Sequence, residues 1–283
     1  MPELPEVETI VRDLQPLVNK KIKDLSCSNS KTLNLPVVKF KQQVLNLPLQ
    51  SINRLGKHLV ISLPNKYLVI HLKMTGQLIW RRGRQTVVGG HPIINQGESL
   101  PNRFTRVILT LSDNSQLFFN VRKFGWWHLL TPKQWLDYVQ KFGVEPLTKQ
   151  FSLAVFNNIL QSRARSKIKS ILLDQHKILG IGNIYADESL FLAGIKPQRL
   201  ASSLTQLEIK KLWQAISKVL RWSIKHRGTS FNDYVDARGQ SGNFVEKLQV
   251  YGRQNQFCYQ CGQTITKIKL AGRGTHYCQQ CQH

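Results

Sequence analysis

The sequence has few acidic residues for its length. Its 283 residues include 16 Asp and Glu against 40 Lys and Arg, which leaves a formal net charge of +24. Both halves of the chain share this excess, so it is not a basic tail. A field of that sign over the whole molecule is typical of proteins that bind a large polyanion, above all nucleic acid. On charge alone, a ribosomal or membrane-surface role stays open.

Long apolar runs and the features of a signal peptide are also missing. No segment approaches the roughly 18 consecutive apolar residues of a membrane span. The chain begins MPELPEVE, with three Glu where a signal peptide has Lys or Arg followed by an apolar stretch. We therefore expect a cytoplasmic protein without a membrane segment, and we expect it to be a monomer.

Cysteine is scarce and unevenly placed. Of five cysteines, four lie within the last 26 residues, a distribution that favours a metal site over a disulfide framework. The length corresponds to about two domains. A hydrophobic content of 41% is typical of a folded globular protein.

The first half of the chain reads as a helix followed by β-structure. Residues 5–18 place apolar residues at helical spacing and predict a short amphipathic helix. Between about 22 and 130, short β-type runs separated by Pro, Asn and Gly predict an antiparallel β-sandwich. Residues 81–103 are basic and Gly-rich and predict a long loop.

The second half reads as mostly helical. After residue 147, four segments with helical spacing predict an α-rich region. A Gly-rich segment follows at 236–244. The chain then ends in a β-type run, LQVYGR, and the cysteine-rich module.

The cysteines of this module form two CxxC pairs, Cys258/Cys261 and Cys278/Cys281, with 16 residues between them. Two such pairs joined by a hairpin-length segment place four thiolates at the corners of a tetrahedron, and a closed four-Cys shell is the structural type of zinc site. A redox pair is the alternative, although two such pairs would be redundant. We expect one structural Zn²⁺.

Two turns in the second half are candidate phosphate contacts. Arg273 lies between two glycines at a predicted hairpin tip, and Gly180 and Gly182 precede Asn183 between two predicted helices. Glycines let the backbone approach a phosphate, and a helix N-terminus binds anions. A solvated arginine and a simple interhelical turn are the alternatives, and the residues alone do not decide.

Met74, the only methionine besides the initiator, follows the β-type run YLVIHL, and the segment from Arg122 to Phe124 follows LFFNV. An apolar wedge and an arginine at strand ends would fill the gap left by an extruded base. The alternative places Met74 and Phe124 in the sandwich core. Composition does not choose between the two interpretations.

The amino terminus is a candidate catalytic group. Removal of the initiator Met would give Pro2 a free secondary amine, and an α-amine with a pKa near ~8 is unprotonated often enough to attack a sugar C1′ and form an iminium. Glu3 would transfer protons beside it. The alternative is that Glu3, Glu6 and Glu8 only complement a helix dipole.

Four segments, in order MPELPEVE, LGIGNIYADESLF, KLQVYGR and the four-Cys module, resemble the bacterial formamidopyrimidine-DNA glycosylase family. The resemblance implies a bifunctional DNA glycosylase and apurinic/apyrimidinic (AP) lyase of base excision repair. Such an enzyme removes 8-oxoguanine and formamidopyrimidines from double-stranded DNA through a Schiff base on the N-terminal proline, followed by β,δ-elimination. Beyond the structural zinc, no redox or nucleotide cofactor is implied.

The implied fold is α+β. An N-terminal catalytic antiparallel β-sandwich with flanking helices would span 1–145, a helix–two-turn–helix DNA-binding domain 150–244, and a four-Cys zinc finger 245–283. The resemblance implies catalytic roles for Pro2, Glu3 and Lys57. It implies DNA contacts for His71, Met74, Arg122, Phe124, Lys169, Asn183, Tyr251 and Arg273, where Met74, Arg122 and Phe124 fill the void. A lesion-capping loop is implied around 236–244.

Two other functions are alternatives to this one. The sister family, endonuclease VIII, shares the Pro-Glu start and the zinc finger but prefers oxidised pyrimidines, typically begins PEGPE, and fills the helix from a single loop. The start PELPE, Met74 and the Arg122-Lys-Phe124 segment favour the purine enzyme. A catalytically inactive DNA-binding or architectural protein would leave the Pro2-Glu3 start and Lys57 unexplained.

Overall fold

The structure, a computed structural model, describes residues 1–83, 85–90, 100–229 and 244–283. These residues divide into two compact units. The first contains Met1–Gln140 and residues 227–229, and the second contains Lys141–His226 and Phe244–His283. Within the described part, no helix is both long and apolar enough to cross a bilayer.

The first helix, α1, spans Leu4–Asp13 and begins with Pro5 in its first turn. It is shorter than the predicted 5–18 because Pro16 lacks the N–H that a continuing helix needs and restricts the residue before it. The chain continues instead through one 3₁₀ turn, Gln15–Leu17. Apolar side chains on one face of α1 are buried, as the helical spacing predicts.

Nine strands of the first unit form two antiparallel sheets. The strands are β1 (Ile22–Cys27), β2 (Ser51–Leu55), β3 (His58–Leu63), β4 (Lys66–His71), β5 (Gln77–Arg82), β6 (Gln85–Gly90), β7 (Thr105–Leu111), β8 (Gln116–Asn120) and β9 (Trp126–Leu130). One sheet has the order β1-β7-β8-β5-β6 and the other the order β2-β3-β4-β9. The predicted antiparallel β-sandwich is confirmed.

Side chains from both sheets build one hydrophobic core, and α1 contributes to it. Helix α1 packs on β6, where Gly89 leaves the necessary room: a Cβ at this position would lie 2.4 Å from Cγ1 of Ile10. Two more helices, α2 (Val37–Val44) and α3 (Pro132–Val139), belong to the same unit. The sequence pattern did not predict either of them.

Part of the segment predicted as a long loop is a strand. Residues 85–90 form β6, in which Val87 pairs with Trp80 of β5. Val87 is buried in the sandwich core, so burial of a β-branched side chain outweighs the Gly-rich composition of the segment. Residues 84 and 91–99 lie outside the described residues, as does 236–243 of the predicted capping loop.

The second unit contains the four predicted helices and a hairpin. The helices are α4 (Leu153–Gln161), α5 (Ile168–Leu173), α6 (Asn183–Ala193) and α7 (Gln206–Lys225), and the hairpin strands are β10 (Thr266–Leu270) and β11 (Arg273–Tyr277). Ala271 and Gly272 form the hairpin turn, with φ values of +48° and +73°. Two positive φ values are typical of a tight two-residue hairpin turn, and this turn places Arg273 at the hairpin tip.

The run LQVYGR is not a strand, which corrects the β-type interpretation. The backbone N–H groups of Gln249, Val250 and Tyr251 all donate to the carboxylate of Glu188 on α6, each at 2.9 Å. Burial raises the pKa of Glu188, and the three N–H groups oppose that effect. The Glu188 carboxylate therefore accepts the N–H groups that a neighbouring strand would otherwise pair with. The alternation of apolar residues in LQVYGR cannot predict such a contact.

Candidate functional site

One end of the sheet β2-β3-β4-β9 gathers predicted site residues of the first unit. Lys57 lies in the turn between β2 and β3, and His71 is the last residue of β4. In the strand register, His58 pairs with His71, and His71 pairs with Trp126, the first residue of β9. Antiparallel pairing therefore places the Lys57 turn, His71 and the loop before β9 side by side.

A chain of polar contacts attaches α1 to the turn that contains Lys57. Glu8 on α1 accepts a hydrogen bond from Nε of Arg54 at 3.1 Å, and Nη1 of Arg54 donates to the carbonyl of Gly56 at 3.2 Å. Burial raises the pKa of Glu8, but its bonds to Arg12 and Arg54 outweigh this and hold the pKa below its ordinary value. Lys57, next to Gly56, is only 6% exposed.

The three N-terminal glutamates have different surroundings. Glu6 accepts the backbone N–H of Glu3 at 2.8 Å, and it also accepts the N–H and the hydroxyl of Thr229 at 2.8 and 3.0 Å. Glu8 is held by the two arginines described above. Glu3 immediately precedes α1, next to Pro2, and is only 4% exposed. Glu3 is also the N-cap of α1, in a capping box with Glu6, so the structural role at the helix N-terminus is present and the proposed catalytic role is additional to it.

A cluster of rings packs beside the Lys57 turn. His58 and His71 are buried and meet edge to face, with 4.6 Å between ring centroids, and Trp126 tilts against both. Nδ1 of His58 lies 3.0 Å from the carbonyl of Leu55, and its Nε2 lies 2.9 Å from the hydroxyl of Tyr138 on α3. Because a carbonyl only accepts, His58 donates through Nδ1 and accepts the tyrosine proton at Nε2.

Both histidines are neutral at ordinary pH. Burial lowers the pKa of His58 to about 4 and that of His71 to about 2, and the positive charges of Lys73 and Lys57 act in the same direction. Nδ1 of His71 accepts the backbone N–H of Lys73 at 2.9 Å, which leaves the ring proton on Nε2. His71 is therefore a neutral hydrogen-bond donor that adds no charge.

Met74 and Phe124 are 56% and 73% exposed, which excludes the core-packing interpretation of these two side chains. Met74 lies in the loop after β4, and Phe124 in the loop before β9. Arg122 is also exposed, and its guanidinium stacks 4.9 Å from the ring centroid of Phe104. Two apolar side chains and an arginine thus project from loops at the same end of the sheet.

In the second unit, the structure places the charge of Lys169 inside the unit. Lys169 is only 1% exposed, and its ammonium lies 2.6 Å from Oδ1 of Asp187. It also donates to the hydroxyl of Thr275 at 2.7 Å and to the carbonyl of Gly274 at 3.2 Å. These contacts tie α5 and α6 to the β10–β11 hairpin.

The other predicted phosphate contacts of this unit lie on or against the same β10–β11 hairpin. Asn183, the first residue of α6, donates through Nδ2 to the carbonyl of Gly274 at 2.8 Å. The ring of Tyr251 packs edge-on against His276 of β11, with 5.0 Å between centroids. Arg273, next to Gly274, is exposed. Lys169, Asn183 and Arg273 are therefore brought together at the hairpin tip.

The four cysteines of the C-terminal module form one cluster. Their sulfur atoms lie within 4.8 Å of one another, with 3.8 Å between Cys258 and Cys281 and 3.5 Å between Cys261 and Cys278. A tetrahedral zinc ion with four bonds of about 2.3 Å needs sulfur atoms about 3.8 Å apart. The donor set and its spacing therefore fit Zn²⁺, with every ligand position supplied by the protein.

Comparison with known proteins identifies the family. The model of the formamidopyrimidine-DNA glycosylase N-terminal domain matches residues 1–127, and the model of its H2TH domain matches 142–234. The zinc finger found in FPG and IleRS matches 242–283. The formamidopyrimidine-DNA glycosylase of Pelotomaculum thermopropionicum is 40% identical over 271 residues, which cover 93% of this chain and 92% of that protein. The chain belongs to the formamidopyrimidine-DNA glycosylase family.

Solved structures of this family agree with the fold. The crystal structure of wild-type Lactococcus lactis Fpg with DNA containing N7-benzyl-Fapy-dG has a TM-score of 0.85 and 33% identity, and covers 100% of both chains. A complex of the same protein with DNA containing an oxidised pyrimidine has a TM-score of 0.84 and 32% identity, again over 100% of both chains. Membership of the family makes this protein a DNA glycosylase of base excision repair.

Sequence reasoning missed the residues that hold others in place. These are His58, Thr75, Tyr138, Asp187 and Glu188. One signal could have found two of them: Asp187 and Glu188 are adjacent carboxylates within the apolar helical segment IYADESLFLAG. Adjacent carboxylates in a buried helix require partners. The other three have no comparable signal.

We expect acid to destabilise the first unit through its buried histidines. Their folded pKa values of about 4 (His58) and about 2 (His71) lie below the ordinary 6.5. The unfolded chain therefore binds more protons below about pH 6.5. The stabilisation from the neutral rings is complete above that pH and is lost as the pH falls towards 4 for His58 and towards 2 for His71. Urea unfolding followed by tryptophan fluorescence should give a free energy of unfolding that decreases over this range. His71→Asn should weaken that dependence, and a pH-independent free energy would contradict it.

We expect removal of zinc to unfold the C-terminal module. Among the described residues, the module packs on a small apolar cluster that includes Val250, Ile265, Cys258 and Cys278, so the metal supplies most of its folding energy. Elemental analysis should find one zinc per chain, and Cys278→Ser should lose both zinc and DNA binding. Cys27→Ser, outside the cluster, is the control and should retain both. Full DNA binding by metal-free protein would refute a structural role.

Proposed function

We propose that the protein is a bifunctional DNA glycosylase and AP lyase that removes oxidised purines from double-stranded DNA. The observation that carries this proposal is the composition of one sheet end. Buried Lys57 and the neutral donor His71 lie there beside loops that expose Met74 and Phe124. An apolar wedge fills the gap that an extruded base leaves, and the family resemblance gives Lys57 a catalytic role and His71 a hydrogen bond to a phosphate. The Lactococcus lactis relative is solved with DNA that contains N7-benzyl-Fapy-dG and with DNA that contains an oxidised pyrimidine, so the preference for purines rests on the start PELPE, Met74 and the Arg122-Lys-Phe124 segment.

The proposed nucleophile is the amine of Pro2 after removal of Met1. Pro2 is half-buried beside Glu3, at the start of a helix that Glu8 and Arg54 attach to the Lys57 turn. The amine nitrogen forms a bond to C1′ while the bond from C1′ to the base nitrogen breaks. The electron pair leaves with the base, and Glu3 supplies proton transfer at the sugar. The proline nitrogen loses its proton, and the C1′–O4′ bond then breaks as Glu3 protonates O4′ and the nitrogen electron pair moves towards C1′. The product is an iminium between Pro2 and the opened sugar.

The lyase steps follow from this iminium, because its positive nitrogen makes the C2′ hydrogen acidic. Loss of that proton breaks the C3′–O bond by β-elimination, and a second proton loss breaks the C5′–O bond by δ-elimination. Both leaving groups are phosphates, so the strand is cut on each side of the sugar. Hydrolysis of the remaining iminium frees the amine for another turnover.

In the second unit, we assign the phosphate contacts to Arg273, Asn183 and Tyr251. Arg273 is the charged member that reaches solvent at the hairpin tip. Lys169 positions the hairpin tip that carries Arg273, because its ammonium is bound to Asp187 and to the Gly274 carbonyl. Removing Lys169 would leave the carboxylate of Asp187 buried without its counter-ion, so such a variant tests folding more than phosphate contact.

The zinc ion would be held by Cys258, Cys261, Cys278 and Cys281 and would order the hairpin that carries Arg273. A single structural Zn²⁺ is proposed, with no open ligand position for chemistry. Because the substrate is chromosomal DNA, we infer that the protein works in the cytoplasm at the nucleoid. The proposed chemistry needs only one active site, so a monomer suffices.

Covalent trapping tests the nucleophile and the substrate class together. Borohydride added during reaction with an 8-oxoguanine:cytosine duplex should reduce the iminium to a stable cross-link, and peptide mapping should place the DNA on Pro2. A thymine glycol duplex should give much less cross-link. Attachment to Lys57 would contradict the assignment of the amine, and equal trapping with thymine glycol would favour an oxidised-pyrimidine enzyme.

The variant Glu3→Gln separates proton transfer from binding in the same assay. Excision should fall about 100-fold or more, because the side chain can no longer accept or donate the proton. Binding to a duplex with a tetrahydrofuran abasic analogue should persist. Asp24→Asn makes the same chemical change at a surface ion pair with Lys41 and should leave excision unchanged. Equal losses of excision and binding in Glu3→Gln would show that Glu3 is structural.

Affinity and specificity should respond to different residues. Arg273→Ala should weaken damaged and undamaged duplexes alike and make the slope of log K against log salt shallower by about one, because one counterion fewer is released. Met74→Ala and Phe124→Ala should leave affinity for intact duplex nearly unchanged and lower lesion excision, because a wedge acts only after the helix opens. If Met74→Ala and Arg273→Ala gave the same pattern, Met74 would be no wedge.

A further inference from the structure

A single hydroxyl joins the two loops that expose the apolar side chains. The loop Leu72–Gly76 connects β4 to β5, and the loop Val121–Gly125 connects β8 to β9. The Thr75 hydroxyl donates to the carbonyl of Lys123 at 2.8 Å and accepts the N–H of Lys123 at 2.8 Å. Thr75 therefore uses both its donor and an acceptor site on one residue of the other loop.

These bonds act directly beside the two exposed side chains, since Met74 precedes Thr75 and Phe124 follows Lys123. Phe124 has φ +71°, a conformation that a bulky side chain rarely adopts. Backbone in such a region persists only where its surroundings hold it. The pair of bonds to Lys123 fixes the residue immediately before Phe124 and so supplies part of that support.

The first loop is also fixed at its other end. The backbone N–H of Lys73 donates to Nδ1 of His71 at 2.9 Å, and the N–H of Gly76 donates to the carbonyl of Leu72 at 2.8 Å. The turn is tight, because a Cβ on Gly76 would lie 2.3 Å from the Leu72 carbonyl oxygen. Met74 is therefore held between the bond to His71 and the bonds made by Thr75.

Apolar packing holds the bases of the two loops, because Leu72 and Val121 belong to the sandwich core. It does not hold their tips, where Met74, Lys123 and Phe124 are all exposed. At the tips, the two hydrogen bonds between the Thr75 hydroxyl and the backbone of Lys123 supply the connection instead. A hydroxyl is required for both bonds, which valine, of similar shape, lacks and serine keeps.

We propose that Thr75 is a positioning residue that joins the two loops into one rigid unit, so that Met74 and Phe124 enter an opened duplex together. This inference rests on the proposed wedge function of those two side chains. Two loops that move independently would each lose conformational freedom on insertion, whereas joined loops arrive already ordered. The two hydrogen bonds between Thr75 and Lys123 thereby favour the extruded state without changing the affinity for intact DNA.

The first test compares Thr75→Val with Thr75→Ser. Under single-turnover conditions, Thr75→Val should slow 8-oxoguanine excision about tenfold, the effect of losing one to two hydrogen bonds, and leave intact-duplex affinity unchanged. Thr75→Ser should restore the wild-type rate. The control is Thr110→Val, a change of the same shape near the opposite end of β8, where Thr110 pairs with Gln116; this variant should excise normally.

A double-mutant cycle tests the joining itself. In the wild-type background, Met74→Ala and Phe124→Ala should be non-additive, because each loop depends on the other. In the Thr75→Val background, their effects on excision should become additive. Additive effects in both backgrounds, or a silent Thr75→Val, would overturn the inference while leaving the wedge intact.

Other outcomes separate this inference from the proposed function. If Met74→Ala and Phe124→Ala each left excision unchanged, the wedge function itself would fail, and the role of Thr75 would fail with it. If Thr75→Val lowered intact-duplex affinity and excision equally, and lowered the melting temperature as well, Thr75 would be merely structural. The proposal is supported if Thr75→Val loses excision selectively at an unchanged melting temperature and Thr75→Ser restores it.

Discussion

The site of the first unit depends on the register of three neighbouring strands. Pairing of His58 with His71, and of His71 with Trp126, brings the Lys57 turn, the Met74 loop and the Phe124 loop to the same end of the sheet. The core sets this register, because alternate apolar residues of β3 and β4 belong to the sandwich core. A slip by one residue would move those side chains to the opposite face. Hydrophobic burial therefore positions residues whose own roles are polar.

Buried polar contacts then fix the turns that the strands and helices present. Arg54 links Glu8 to the Gly56 carbonyl in the first unit, and Lys169 links Asp187 to the Gly274 carbonyl in the second. In both cases a desolvated cation with a carboxylate partner also donates to a turn carbonyl. Such pairs add little net stability, but breaking one leaves an uncompensated buried charge. Their value here is conformational, because each holds a turn beside a predicted site residue.

Sequence patterns predicted features that lie within one segment of the chain. They missed features that depend on contacts between distant segments. The CxxC spacing, the helical periodicity of the second unit and the β-type runs of the first unit are local patterns, and the structure has all of these, although the β-type run LQVYGR is not a strand. The sequence did not predict strand β6, because the Gly-rich composition of this segment is typical of a loop and the strand forms by pairing with β5. Residues of matching type at Lys169 and Asn183 suggested phosphate contacts, which stay a prediction, but their shared bonds to the Gly274 carbonyl could not be read from the sequence. The contacts of Thr75 span 48 residues of sequence and have no local signature.

The net charge of +24 and the neutral histidines at the end of the sheet have different physical consequences. Exposed lysines and arginines attract phosphates over distances comparable to the Debye length, and they do so for any sequence. Next to the Lys57 turn, burial keeps His58 and His71 neutral, so these rings add nothing to that attraction. What they provide is geometry, since the ring proton of His71 is fixed on Nε2. On the proposed function, intact DNA would interact mainly with the exposed cations of both units, whereas a lesion would also contact the joined loops. Affinity for any duplex and selection of a damaged one would then depend on different residues.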